Sequence, residues 1–310
     1  YLRGQYLLHR RGEGVQKAAE RFNSAIARDS SFARAYAGLS AALALFPYFA
    51  NTPPAAVYGQ VTEAAQRALA LDSMLSEPHT ALALAAMRVH AWARADSEHR
   101  KALAADSTDP SAHHQYGRYL MYTGQLDSAL VEFRRADSLD RYSALYSTWV
   151  SYALFEQGKV QESLAELRRA LDIDSLNLVV LVQAAVIYVL QGDTAAARAM
   201  AKGLPNTPPW MATKAYVIGR VGDHAAAREI ALRATTDVKG AWFRETTQGY
   251  AALGIGDTAQ ALSAFERATD ADEIWMLFNS VGDRMFDPIR HTPRFQVLLR
   301  RIGLADRPFR

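Results

Sequence analysis

Five glycines constrain this chain more than any other feature. Gly124, Gly158, Gly192, Gly222 and Gly256 follow one another at intervals of 34, 34, 30 and 34 residues. Three of them sit in near-copies of one phrase: "QGDTAAARAMA" from Gln191, "VGDHAAAREIA" from Val221 and "IGDTAQALSAF" from Ile255. A fixed period of this size is the mark of a repeating supersecondary unit, and it sets the fold before composition is consulted.

The residues around each glycine define the unit. Five positions after it stands a small residue: Ala129, Ser163, Ala197, Ala227 or Ala261. Four further on comes Phe133, Leu167, Ala201, Ala231 or Phe265, and in three copies another alanine follows (Ala136, Ala170, Ala268). Offsets of four and three place these residues on one face of a helix. The segments before each glycine keep the same periodicity, as in "SAHHQYGRYLMYTG", where Tyr116, Gly117 and Leu120 share a face. Each unit therefore reads as helix, glycine turn, helix. A helix C-terminus favours a left-handed residue, which glycine adopts cheaply. The Asp that follows it in three copies is a good N-terminal cap for the next helix. Closers such as "ARDSS", "ALDSM", "AADST" and "DIDSL" supply Ser or Asp expected to cap the helix after each joint.

This spacing, with its small residues, glycine, apolar position and alanine, resembles the tetratricopeptide repeat. In the same phase, "EPHTALALAAMRVHAWARADSEHRKALAADS" forms an earlier unit with Ala83, Ala95 and Ala102, and His99 departs from it at a usually apolar position. "ARAYAGLSAALAL" with "VTEAAQRALALDS" forms another, split by an expected inserted loop at about 46–59. The first unit has a lengthened turn. Eight hairpins are expected over residues 1–273. A C-terminal capping segment at 274–310 follows, whose last helix, about Pro293 to Ile302, turns Phe295, Leu298 and Leu299 inward. The resemblance implies an all-α, right-handed superhelical solenoid of antiparallel hairpins.

The resemblance also implies a concave face lined by the first helix of each hairpin. Carried over position by position, it names His114, Arg118, Met121 and Tyr122, then Thr148, Tyr152 and Phe155. Val182, Val186 and Val189 follow, then Tyr216 and Arg220, then Thr246, Tyr250 and Leu253. Tyr152, Tyr216 and Tyr250 are expected to be partly exposed there as partner contacts. The Lys and Asn pattern with which chaperone-binding members hold a carboxylate is missing, so an apolar helical or extended protein segment is the expected ligand.

Sites for chemistry are scarce. The chain has no cysteine, which excludes disulfides, thiolate catalysis and cysteine-bound zinc. "GIGDTA" at Gly254 imitates a dinucleotide loop but follows a helix where that site needs a strand. His113 and His114 are adjacent and point about 100° apart on a helix, so they do not chelate one ion. The run "TDADE", with Asp270, Asp272 and Glu273, reads as solvated linker. No Gly-x-Ser-x-Gly elbow or His-Glu-x-x-His motif occurs. Thus no enzyme, cofactor or metal is expected.

The formal charge of +3, from 35 basic and 32 acidic residues, offers no concentrated nucleic-acid surface. The longest apolar run, Leu178 to Leu190 with Gln183 inside it, is shorter than the roughly 20 residues of a membrane span. The expected partners are one or more proteins, a membrane complex among them. The expected role is a non-catalytic scaffold or adaptor. Alternatives are a regulatory module of a larger signalling protein, or a subunit of a membrane assembly. Similar repeat regions occur in bacterial proteins of both kinds, and Tyr1 already falls in a helical pattern, so a signal, anchor or domain is expected before it. Either side of a membrane remains open.

Overall fold

The computed structural model of the chain describes residues 1–10, 12, 14–50, 52–207, 210–236, 243–271, 273 and 283–305, apart from the side chains of residues 9 and 10. Every regular element among them is helical. The helices come in pairs: α1 Leu2–Arg10 with α2 Gly14–Arg28, α3 Ala33–Phe49 with α4 Pro54–Leu71, and α5 Ser76–Arg88 with α6 Trp92–Ala105. Then follow α7 Pro110–Tyr122 with α8 Leu126–Leu139, α9 Ala144–Glu156 with α10 Val160–Ile173, and α11 Leu178–Leu190 with α12 Thr194–Lys202. The last pairs are α13 Trp210–Arg220 with α14 His224–Thr236, and α15 Arg244–Gly254 with α16 Thr258–Asp270. A 3-10 turn at Arg284–Phe286 leads into the short α17, Asp287–Arg290, and then α18, Pro293–Arg301. The chain divides into two compact units, Tyr1–Tyr119 and Leu120–Arg310.

The glycine turns form as the period predicts. Gly124, Gly158, Gly192, Gly222 and Gly256 have φ between 80° and 92°, the left-handed region. The residue after each sends its N–H back to a carbonyl of the preceding helix, as Asp193 does to Tyr188 at 3.0 Å. Asp193, Asp223 and Asp257 then accept from the backbone N–H of Ala196, Ala226 and Gln260 at 2.9, 3.1 and 2.9 Å. The repeated Gly-Asp phrase is thus a helix stop followed directly by a helix cap.

The Asp-Ser joints behave differently from the expectation that they cap the next helix. Asp29, Asp72, Asp106, Asp140 and Asp174 each accept from the backbone N–H two residues on. These are turns closed by the aspartate itself within the link. The residues preceding α3, α5 and α9 make no side-chain cap bond. The joint is too long: the next helix starts four residues after each Asp, beyond the reach of its carboxylate.

The first unit holds its hairpins together around Phe22, which is fully buried with Val15, Ala18 and Ala19 of α2 and Ala42 and Leu45 of α3. The loop expected at 46–59 is mostly helix, because α3 runs to Phe49 and α4 starts at Pro54. Pro47 lies inside α3. A proline there costs on the order of 3 kcal/mol. Phe46, Tyr48 and Phe49 offset that cost by packing against the Phe22 cluster. Pro54 at the first turn of α4 needs no N–H partner.

In the second unit the small residues permit close helix approach. A Cβ on Gly219 of α13 would stand 2.8 Å from the backbone of Gly254 in α15, so neither helix tolerates a side chain at that crossing. At the end of the unit, α18 buries Phe295, Leu298 and Leu299 as expected. Arg294 grips Glu266 at 2.7 Å and Arg301 reaches Asp270 at 2.9 Å, tying α18 to α16. Of the acidic run, Asp272 and the following 274–282 lie outside the described residues. Glu273 is not solvated linker. It is 4% exposed and accepts the N–H groups of Arg244 and Thr246 at 3.1 and 2.9 Å, so it caps α15 from a distance in sequence. Burial, opposed by those hydrogen bonds, pushes its carboxyl up to about 7.

Candidate protein-binding site

The first helices of the second unit do not present an open face. Met121, Tyr122, Thr148, Phe155, Val186, Val189, Thr246 and Leu253 are all buried. Tyr152, Tyr216 and Tyr250, expected to meet a partner, are only 2%, 2% and 4% exposed. Val182 is half-buried, and Arg220 alone of this set is exposed. The expectation of a tyrosine column open to a partner is therefore corrected.

The reason is the segment that follows the repeats. Arg284 donates its backbone N–H to Glu156 Oε1 at 3.4 Å, and its guanidinium lies 5.1 Å from the centre of the Phe155 ring. Phe286 is fully buried among Tyr250, Phe265 and Phe295, with ring centres 5.8, 5.7 and 5.6 Å away. Arg290, 2% exposed, holds the turn shut by donating to the Asp283 carbonyl at 2.5 Å and to Asp287 at 3.1 Å. Burial, then the Asp283 and Glu156 carboxylates, push the Tyr152 hydroxyl well above a phenol's ordinary value. Burial does the same to Tyr216. The chain's own residues thus fill the place the sequence reading gave to a partner. Asp283, Arg284, Phe286 and Arg290 carried a readable signal, two arginines interleaved with Met285, Phe286 and Ile289. Outside the repeat period nothing in that signal says which face it covers.

The first unit differs. An open cleft enclosing about 740 Å³, its mouth included, is lined by residues of α1, α3, α5 and the start of α7. Leu8, Leu45 and Leu84 make an apolar wall, while Glu77, Thr80 and Asp109 supply polar groups. Among the described residues, no basic side chain lines it. Of the residues named in advance, His114 and Arg118 belong to this unit, and both are buried. Arg118 does not reach for a partner. Its guanidinium donates to the Tyr48 hydroxyl and to Gln115, both at 3.0 Å. Arg88 stacks on the same tyrosine ring at 5.2 Å and donates to the Ala44 carbonyl at 2.6 Å. The two cations pin the end of α3. The lining that sequence reasoning missed, Glu77, Thr80 and Asp109, sits at or near the starts of α5 and α7 rather than at the family's mid-helix positions.

Among the described residues, no three His, Asp or Glu side chains are grouped to hold a metal ion. No helix among them is long and apolar enough to cross a membrane.

No family model matches this sequence, and no curated protein matches it. Solved structures do. The chain from the Cut9–Hcn1 hetero-tetramer of the APC/C superposes with a TM-score of 0.61 at 11% identity, over 86% of this chain and 52% of that one. This chain therefore spans about half of that relative. The human IFIT1 dimer with m7Gppp-AAAA superposes at 0.58 and 16% identity, over 86% of this chain and 70% of the other. A monomeric IFIT1 mutant with Gppp-AAAA gives 0.60 at the same identity and coverage. At such identities the likeness is one of fold. The fold is all-α, built of helix hairpins of the tetratricopeptide kind, and its glycine turns and alanine contacts are those the period prescribes.

Proposed function

We propose that this chain is a non-catalytic protein-interaction scaffold that takes a partner's extended segment in the cleft of its first unit. One observation carries the reading: first helices line an open cleft in that unit, while in the second Arg284 and Phe286 lie against α9 and α15. The fold favours a protein ligand, since hairpin arrays offer elongated faces suited to peptide segments. The chemistry of the cleft agrees. IFIT1 is seen with m7Gppp-AAAA, but phosphate binding draws on Lys and Arg, and the cleft here has Glu77 and Asp109 and, among the described residues, no basic lining side chain.

The test uses a displayed peptide library panned on the whole chain, followed by affinity measurement on Ala41→Trp. Ala41 lines the cleft, is half-buried and borders the Phe22 cluster, so a large ring there fills the cleft, and the melting temperature reports whether the core is disturbed. Selected peptides should bind this variant at least tenfold more weakly, with its melting temperature little changed. Equal binding to both proteins would place the recognition surface elsewhere and sink the reading.

A further inference from the structure

Resting on that reading, we infer that the cleft of the first unit contains a subsite for a basic side chain, so its occupant is an extended protein segment carrying an arginine or lysine. The argument starts at Ser76, the first residue of α5. Its hydroxyl donates to Asp109 Oδ2 at 2.8 Å and lies 3.5 Å from Glu77 Oε2. Both carboxylates thus converge on one hydroxyl. Asp109 is held there because its other oxygen accepts the N–H of Ser111 at 2.8 Å, at the start of α7. Two like charges brought together repel unless a cation joins them.

Elsewhere the chain supplies such cations itself. Glu98 pairs with Lys101 at 2.8 Å, Asp137 with Arg169 at 2.7 Å, and Glu245 with Arg267 at 2.7 Å. Glu77 and Asp109 pair with no Lys, Arg or His among the described residues.

A second observation is independent of charge. Thr80 lies one turn beyond Ser76 on the same face of α5, lines the cleft and is only 8% exposed, yet its hydroxyl has no hydrogen-bond partner. Other helical threonines, Thr62, Thr148, Thr247 and Thr269 among them, return the hydroxyl to the carbonyl four residues back at 2.7–2.9 Å. Thr80 shares its lack of a partner with Thr246 but, unlike Thr246, lines the cleft. Buried hydroxyls are rarely left without a partner. Here a backbone N–H of a bound segment supplies one, while a neighbouring apolar side chain rests on Leu8, Leu45 and Leu84. A guanidinium fits best, because its planar fork can meet both carboxylates at once.

The probes are fluorescein-labelled nine-residue Ala/Leu peptides carrying one central Arg, Lys, citrulline or Glu, titrated onto the whole chain. Arg and Lys peptides should bind and weaken with added salt, and citrulline and Glu peptides should not. Glu77→Gln should weaken the Arg peptide at least tenfold. Thr80→Val should weaken every binding peptide without lowering the melting temperature, which a merely structural role would not do. Equal binding of Arg and citrulline peptides, or an unchanged Glu77→Gln affinity, overturns the subsite. If only uncharged peptides bind and Ala41→Trp abolishes it, the scaffold reading stands and this inference falls. If calcium alone raises the melting temperature in wild type but not in Glu77→Gln, and no peptide binds, the subsite is for a metal ion and the inference fails.

Discussion

His99 shows how one residue can be placed by pattern and explained only by packing. It stands where the repeat wants an apolar side chain, and it is treated as one: fully buried, 5.5 and 5.6 Å from the rings of Tyr116 and Tyr119. Neither ring nitrogen has a hydrogen-bond partner. Burial drives its pKa down to about 3, with the Arg118 charge adding to the fall and Asp96 and Glu98 opposing it. The linkage follows. The unfolded chain takes up a proton near pH 6.5 that the native state refuses, so stability is full above that value and falls as pH drops toward 3. The slope approaches 1.4 kcal/mol per pH unit. Urea unfolding of His99→Phe between pH 7 and 4 should show a flatter profile than wild type. Identical profiles would mean that the ring finds a proton partner in the native state.

At the scale of the element, the helices were the most legible part of the sequence. Gly192 illustrates why: its φ of 83° is dictated by a local need that every hairpin shares, and the need recurs in the spelling. A Cβ there would meet nothing within 4 Å, so Gly192→Ala isolates the backbone cost. That cost should be about 1–2 kcal/mol, read as a lowered urea midpoint. A midpoint at or above wild type would contradict the turn geometry. The Asp-Ser joints were less legible, since the same letters can cap a helix or close a turn. The choice between them depends on the length of the link, which composition does not state. Least legible was α3 beyond Phe46. A proline pair and a Pro47 inside the run read as loop, whereas the apolar contacts that keep it helical come from α1 and α2.

For the molecule as a whole, the repeat period describes neighbours and is silent about anything that returns to an earlier hairpin. That is why the exposure of the three tyrosines was misread while the fold was not. Tyr152, Tyr216 and Tyr250 sit on the helices assigned to them, but the same chain covers them. Phe286 is the clearest test of that cover. Phe286→Ala should cost about 3–5 kcal/mol and raise amide hydrogen exchange along α9 and α15. If exchange rises only in α18, the segment packs locally and does not hold the inner helices.

The Arg284–Glu156 contact spans 128 residues. Each hairpin of an array needs only its neighbours, so during synthesis the earlier ones can assemble as they emerge and the order of assembly can follow the order of synthesis. This contact breaks that order. At about 5–20 residues per second, α9 would wait on the order of 10 s on the ribosome before Arg284 is even polymerised. Throughout that interval, aromatic surface later sealed by the 283–290 segment faces water. The second unit should therefore close late and all at once, and its nascent form is the state most exposed to chaperones and to aggregation.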